Sequence, residues 1–567
     1  MPIAEPLDWL RELTGNHPAL LLIATAALIG AARAIAAAAV TRRAFDPVDR
    51  AGGANRASAA FASPTDHRDW RWPTGVAVCA LAAYAAIAIA YLRSDAYADL
   101  AEPTIAAVSW LVRLGQSPYH GVDAPARYAH IYGPGLFLIQ AAMFRALGAG
   151  IRVSKVAGVL AALGSLVFLA AALRASRDWR GTLRWTALAA LLFLMFGSIS
   201  FWIRAEPLLL LCASAALSCA LQRHWLVAAV GVGIAMGVAV TLKATGVCYI
   251  APVVPLISAR HPGRVAAILI VSSTAVVAIA WLPFAVWPQI AFGEYRFWLQ
   301  QSSGNGLRVR LLRPNIESAL YLASPLGLSL FVRDRLARAP DRWSLITLCV
   351  AMGLIVVLAA KPGAGPYHLL PFVPVIIWLG ATLHHGVSVT VRPWWTQAVA
   401  TFILPALIIT GIQQWLLIET LRVAAREHVA HDIEAFADTR PGARIEMGYG
   451  GTSGYNGSAP LTFYRPLLVF RSGTYLLDAP GVQEHQLAGI EVPATTLRAI
   501  ARCDVTYWLI PRGEEPFATR NMYAATGFRP LFSNEFRRTF FEAYRRTAST
   551  DYFDVYSCIG PRHATVR

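Results

Sequence analysis

Three carboxylates, Asp95, Asp99 and Glu102, stand together in the stretch YLRSDAYADLAEPTIAAVSW, between an apolar run at residues 73–91 and another at 134–147. Acidic groups cost roughly 3 kcal/mol at bilayer depth, so a cluster at a membrane border points to function. A carboxylate that reaches both water and lipid can serve as a general base on a hydroxyl. Pro103 fits the first position of a helix and makes Glu102 the expected N-cap. The positive end of that helix would keep nearby carboxylates ionised. Residues 103–114 carry apolar side chains at helical spacing with Trp110 among them, as a short helix lying in the interface would. On one continuous helix positions 95, 99 and 102 would share a face. Pro103 disfavours helix at Glu102, so the spacing implies proximity and no particular geometry. The plainer reading is that acidic residues mark where a span ends and solvate the junction.

A second set of chemistry-bearing residues interrupts the apolar runs themselves. The interruptions are Arg204-Ala-Glu206-Pro207, Lys243-Ala-Thr245-Gly246 and the segment from Lys361 to Tyr367 and His368. Each sets a cation beside Pro or Gly. Broken helices at membrane depth are tolerated where they line a cavity or pack within protein. A cation and freed backbone N–H groups there can bind an anion, and a lipid-linked phosphate is the obvious one. Against this, Arg204 and Glu206 could simply mark a cytoplasmic turn. Residues 287–314 add Arg308, Arg310 and Arg313, which suit either a phosphate or a basic surface.

The elements that must position these groups are membrane helices. The chain has 567 residues, of which 56% are apolar and 15% charged. Its mean hydropathy is +0.48. Several apolar runs approach or exceed the ~20 residues a spanning helix needs. The net charge of +17 lies mainly in Arg-rich loops between the runs, which reads as topology signal and anionic-lipid contact. The basic residues form no stripe interleaved with stacking aromatics, so nucleic-acid binding is set aside. Cys79, Cys212, Cys219, Cys248 and Cys349 lie in apolar stretches as small hydrophobes. Cys503 and Cys558 are compatible with a disulfide if the tail is extracytoplasmic. Residues 1–15 are acidic rather than basic, which argues for a retained first helix over a cleaved signal peptide.

Taken in order, the expected spans are 18–40, 73–91, 134–147, 153–173, 185–200 and 207–221, with 344–360, 367–383 and 396–418 completing the bundle. Residues 225–257 are read as one crossing broken near Lys243. The total comes to about twelve spans, with both termini extracytoplasmic. Arg145, Arg152 and Lys155 then mark a cytoplasmic turn. Residues 174–184, with four Arg, fall outside and break the positive-inside tendency. Residues 287–314 fall outside, and 333–342 inside. The tail, residues 419–567, is less hydrophobic. Strand-like runs at ARIEMGY, PLLVF, VTYWLIP and YFDVYSC, with helices expected near 493–501 and 534–546, suggest a small α/β domain. GYGGTSGYNGS at 448–458 superficially resembles a phosphate-binding loop, but a turn or flexible loop fits better.

An acidic residue just after a span, an interfacial helix, and then G-x-x-P-Y and Y-G-P before the next run resemble the GT-C glycosyltransferases. Here the motifs read DLAEP, GQSPYH and YGPG. RAEP, with Ala where that family often has Pro, the Lys in a broken span, and the Lys-Gly element before a Tyr-containing span extend the likeness over residues 73–383. The resemblance implies a mostly α, polytopic bundle at 1–418, with a first external loop at 93–133 and a second at 288–314. An extracytoplasmic α/β domain follows at 419–567. It implies an inner-membrane enzyme that moves a hexosyl or pentosyl group from a polyprenyl-phosphate donor to a cell-envelope lipid, glycan or protein, with inversion. Asp99 or Glu102 would be the base, with Asp95 as fallback. Lys361, His368, Tyr367, Lys243, Arg204, Arg308 and Arg310 would meet the donor phosphate, and Tyr119, His120, Tyr132 and Glu206 the substrate. No cofactor is required, and a divalent metal beside three carboxylates is optional. Broken helices with cations also suit a transporter or flippase of lipid-linked anions. A membrane scaffold that displays its tail is the third class.

Overall fold

The computed structural model describes residues 71–128, 132–175, 177–331, 342–385, 392–451, 459–523 and 529–560. The expected first span at 18–40 and the basic segment at 333–341 lie outside them. Five helical segments among the described residues are long and apolar enough to cross a membrane: Thr74–Arg93, Ile151–Arg174, Trp225–Leu242, Pro262–Val286 and Pro366–Leu383. Shorter apolar helices pack among them.

The bundle opens with α1 (Arg71–Arg93), α2 (Ala101–Arg113), α3 (Pro134–Leu147) and α4 (Ile151–Arg174). Lys155, fully buried in the first turn of α4, corrects the expected path. Its Nζ donates to the carbonyls of Tyr91, Ser94 and Ala96 at 3.0, 2.8 and 2.5 Å, so α4 starts where α1 ends. Arg152 pairs with Asp95 at 2.5 Å on the same face. The run at 134–147 therefore does not carry the chain to the other end, and Arg152 and Lys155 lie at the same end of the bundle as the acidic loop. Fourteen residues of helix span only ~21 Å, short of a ~30 Å core. Residues 174–184 then fall at the opposite end, where Arg184 donates to Thr74 at the start of α1. The conflict with the positive-inside tendency disappears.

The expected N-cap and interfacial helix are corrected as well. Helix α2 begins at Ala101 with Leu100 as its N-cap, and Glu102 lies inside the first turn. Every residue from Ala101 to Val112 is buried, because α2 is sandwiched between α3 and the tail. Trp110 meets Phe144 of α3 at 5.6 Å and Phe470 of the tail at 5.5 Å, and those two rings meet each other at 5.3 Å.

After α5 (Trp179–Leu194) and α6 (Ala205–Ala220), α7 (Trp225–Leu242) returns to the acidic face and stops at Lys243. The chain then doubles back through α8 (Gly246–Ile250) and α9 (Val254–Arg260) before α10 (Val265–Val286) packs along α7. So 225–257 is two passes, not one broken crossing. Gly246 makes the reversal fit, since a Cβ there would overlap the Ala239 carbonyl. The two misreadings cancel. Residues 287–314 still lie on the acidic face, where α11 (Phe292–Ser303) places Trp298 Nε1 2.7 Å from the His120 carbonyl.

Helices α12 (Val309–Phe331), α13 (Arg342–Leu358) and α14 (Val373–His385) follow, and α15 runs unbroken from Arg392 to Glu427. His428, at φ 50°, ends it, and α16 (Val429–Asp438) opens the tail. The tail sheet has the order β1-β2-β4-β3: β1 (Ile445–Met447) pairs parallel to β2 (Tyr507–Pro511), while β4 (Phe553–Cys558) runs antiparallel to β2 and to β3 (Tyr544–Ser549). PLLVF, read as a strand, lies in α17 (Pro466–Ser472), and the helix expected to reach 546 ends at Ala543, where β3 begins. Pro466 at N1 favours the helix over a ladder position. Helices α18 (Ala479–Leu487), α19 (Ala494–Ala501) and α20 (Asn534–Ala543) cover the sheet, and a Cys503–Cys558 disulfide, Cα–Cα 5.8 Å, ties the end of β4 to the turn after α19. The Gly-rich loop continues into 452–458, outside the described residues.

Candidate active site

Asp99 and Glu102 part company at the start of α2. Glu102 is fully buried and turns inward. Its carboxylate accepts from the Tyr91 hydroxyl and from the backbone N–H of Ala98, Asp99 and Ile203, the last three at 2.6, 3.0 and 3.3 Å. Burial pushes its carboxyl up from the ordinary range, against the opposing pull of Lys155. It staples the end of α1, the acidic loop and the approach to α6, and it is not among the residues that line the cavity beside Asp99. Asp95 is half exposed and committed to Arg152. Asp99 Oδ1 accepts from Ala101 N at 2.8 Å, and its carboxylate faces a cavity of 550 Å³.

Arg204 is the hub of that cavity. It sits in extended backbone just before α6, so its side chain leaves the helix end toward the acidic loop. The guanidinium reaches Asp99 at 3.4 Å, donates from Nε to Tyr132 Oη at 2.7 Å and from Nη2 to Tyr367 Oη at 3.0 Å, and stacks 4.4 Å over the Trp202 ring. Such a cage fixes a fork of donors that matches a phosphate. Tyr132 owes its place to the YGPG motif. Gly133 N donates to the Leu242 carbonyl at 3.0 Å, and a Cβ at Gly133 would overlap the Thr241 carbonyl. The motif thus docks the start of α3 on the last turn of α7.

Behind Arg204 lies a buried charge relay. Lys243 Nζ is 3.1 Å from Glu206 Oε1 and 2.9 Å from His368 Nε2, and Glu206 Oε2 lies 3.9 Å from Arg204. Among the expected phosphate ligands, Arg204, Tyr367, Arg308 and Arg310 line the cavity, while Lys243 and His368 stand in this second row. Lys361 does not line it, although its neighbours Pro362, Gly363 and Ala364 do. Arg308 also donates to the carbonyl of Tyr523, which brings the tail over the cavity mouth.

Tyr119 and His120 are not on the cavity wall. The Tyr119 hydroxyl donates to the Tyr132 carbonyl at 2.6 Å. His120 Nε2 accepts from Tyr128 N at 3.1 Å, and the ring packs edge-on to Trp298. Burial lowers the His120 pKa to about 4, so the ring is neutral. The PYH end of GQSPYH is a buried loop anchor. No group of three or more His, Cys, Asp or Glu among the described residues is placed to hold a metal ion. The three loop carboxylates take separate directions.

Sequence reasoning missed the tail's share. Glu484, Met522 and Tyr523 line the cavity, together with Phe196–Ile199 and Trp202. Trp202, two residues before Arg204, was the one legible signal. Tail residues hundreds of positions from the acidic loop offered none.

A bundle with an acidic first loop, basic breaks at the same end and a small α/β domain over them is a fold that solved structures share. The chain is similar to ArnT from Cupriavidus metallidurans, whose crystal structures in the apo state and bound to undecaprenyl phosphate align at TM-scores of 0.51 and 0.52. Sequence identities are 13% and 14%, and each alignment covers 85% of this chain and 98% of that one. The arabinofuranosyltransferase AftD from Mycobacteria aligns over 86% of this chain and 40% of its own at 14% identity, with a TM-score of 0.46 too low to argue from. No protein-family model and no curated protein matches the chain. At these identities the likeness is one of fold.

Proposed function

We propose that this chain is an integral-membrane glycosyltransferase that takes its sugar from a polyprenyl-phosphate donor and passes it to a cell-envelope acceptor on the extracytoplasmic side of the inner membrane. The observation that carries the reading is one cavity with Asp99 on its wall beside the guanidiniums of Arg204, Arg308 and Arg310. Undecaprenyl phosphate in the structurally similar ArnT supports the donor class. A disulfide in the tail supports an oxidising side for this face.

Asp99 takes the proton of the acceptor hydroxyl as its oxygen attacks the anomeric carbon. The new C–O bond forms as the bond from that carbon to the phosphate oxygen breaks, and the electron pair leaves with the polyprenyl phosphate. Attack from the far face inverts the carbon. Arg204, Arg308 and Arg310 stabilise the departing phosphate, and Tyr132 and Tyr367 hold Arg204 for that work. Lys243, Glu206 and His368 fix the charge balance behind it. The experiment is sugar release from labelled undecaprenyl-phosphate hexoses and pentoses by the full chain in nanodiscs. Turnover by the wild type and its loss in Asp99→Asn are expected. A wild-type chain that moves these lipids across a vesicle wall while every sugar bond stays intact would overturn the reading in favour of transport.

A further inference from the structure

We propose that Glu484 is a saccharide ligand: a carboxylate, supplied by the C-terminal domain, that accepts hydrogen bonds from a pair of sugar hydroxyls in the cavity. The inference rests on the glycosyl-transfer reading and names a contact that reading does not contain. Glu484 lines the cavity on the tail side, with Tyr523 and Met522. Its neighbours in α18 are committed elsewhere. The Gln483 carbonyl and Gln486 Oε1 accept from Asn521 Nδ2 at 3.2 and 2.9 Å, and the His485 ring stacks on Trp298 at 4.2 Å. Pro480 and Glu484 are the members of α18 that line the cavity, and Glu484 is the charged one.

The helix that carries it is fixed relative to Asp99. Asp478 caps α18 by accepting from Gly481 N at 2.8 Å, and its other oxygen accepts from Thr104 Oγ1 in α2 at 2.8 Å and from Arg465 Nε at 3.1 Å. One capping residue therefore sets the register between the helix of Glu484 and the helix that follows Asp99. The charge of Glu484 is within electrostatic reach of Lys243, Tyr132 and Tyr523. A carboxylate beside a phosphate site repels the phosphate, so Glu484 does not serve that group. A carboxylate is an acceptor with room for about four hydrogen bonds, and bonds to it are roughly twice as strong as neutral ones. Neighbouring sugar hydroxyls are the matching donors. They come from the donor sugar or from an acceptor saccharide, and both offer the same chemistry.

The test compares wild type, Glu484→Gln and Glu484→Ala as full chains in nanodiscs. The isosteric Gln variant, checked for an unchanged melting temperature, keeps the packing. The probes are undecaprenyl phosphate alone, undecaprenyl phosphate carrying one of a panel of hexoses and pentoses, and a glycolipid extract of cell envelopes as acceptor. Binding of undecaprenyl phosphate alone is expected to be the same in all three proteins. Loss of about tenfold or more in affinity for the best sugar conjugate, the size expected for a missing bond to a charged group, assigns Glu484 to the donor sugar. Unchanged donor affinity, with transfer to glycolipid slowed and transfer to water intact, assigns it to the acceptor. If conjugate binding, transfer to water and transfer to glycolipid are all unchanged, Glu484 is no ligand. A wild-type chain that binds none of the probes removes the transferase reading and this inference together.

Discussion

Arg465 of the tail donates through Nη2 to the carbonyl of Leu100, the residue that follows Asp99, at 2.9 Å. The same guanidinium meets Thr104 Oγ1 at 2.6 Å and Tyr475 Oη at 2.8 Å, and it is 1% exposed. The acidic loop is thus held from below by Lys155 and from above by Arg465. Its conformation is a joint product of the bundle and the tail.

Arg465→Met should destabilise the chain by about 3–5 kcal/mol, because Asp478 would be left buried without its cation. A melting curve of the full chain checks this. A melting temperature equal to wild type would show that the ion pair is dispensable.

Among the carboxylates, Asp99→Asn is expected to lower kcat by roughly 10²–10⁴. Asp95→Asn should be nearly silent, since an exposed pair is worth about 0–1 kcal/mol. Glu102→Gln should act on stability first, since the carboxylate it replaces serves four donors. Turnover with the three variants, each normalised to folded protein, separates these roles. Full activity in Asp99→Asn would remove it as the base.

Lys155→Met should remove a donor from three carbonyls, of which Tyr91 keeps the Ser94 N–H while Ser94 and Ala96 lose theirs, at about 1–3 kcal/mol for each carbonyl left unmet before relaxation. Amide exchange in residues 94–99 should speed up while the tail sheet stays protected. Equal exchange in both proteins would contradict the anchoring role.

The His120 ring adds a pH dependence. Its folded pKa of about 4 lies below the ordinary 6.5. Its contribution is therefore complete above pH 6.5 and is lost as pH falls through 4, because the unfolded chain takes up the proton first. The full effect is about 3 kcal/mol. Melting temperatures at pH 7 and 5 should differ less in His120→Gln than in wild type, and parallel slopes would reject the assignment.

Topology can be read directly. A cysteine in place of Arg180 should react with an impermeant maleimide from the face opposite one in place of Arg512. Labelling of both from one side would refute the path drawn through α3 and α4.

Much of this was legible because single residues carried it. YGPG and the cations at 204 and 243 each sat at a break that the structure keeps. The failures came from contacts that no local pattern encodes. The run at 134–147 has span-like hydropathy, and only Lys155 reaching back to Tyr91 shows that the chain does not cross there. Glu102 and Asp99 looked equivalent by type and spacing, and their roles diverge because backbone N–H groups from Ala98 to Ile203 converge on one of them. The tail's contribution depended on docking between Arg465 and Leu100, 365 positions apart in sequence.

The unbroken helix α15 runs ~54 Å, against a hydrocarbon core of ~30 Å. Its far end is joined at Glu427 to the domain that roofs the cavity, the Tyr552 hydroxyl donating to the Glu427 carbonyl. A helix without a break is a rigid link, so any change in its tilt would be passed to the domain that carries Glu484 and Tyr523.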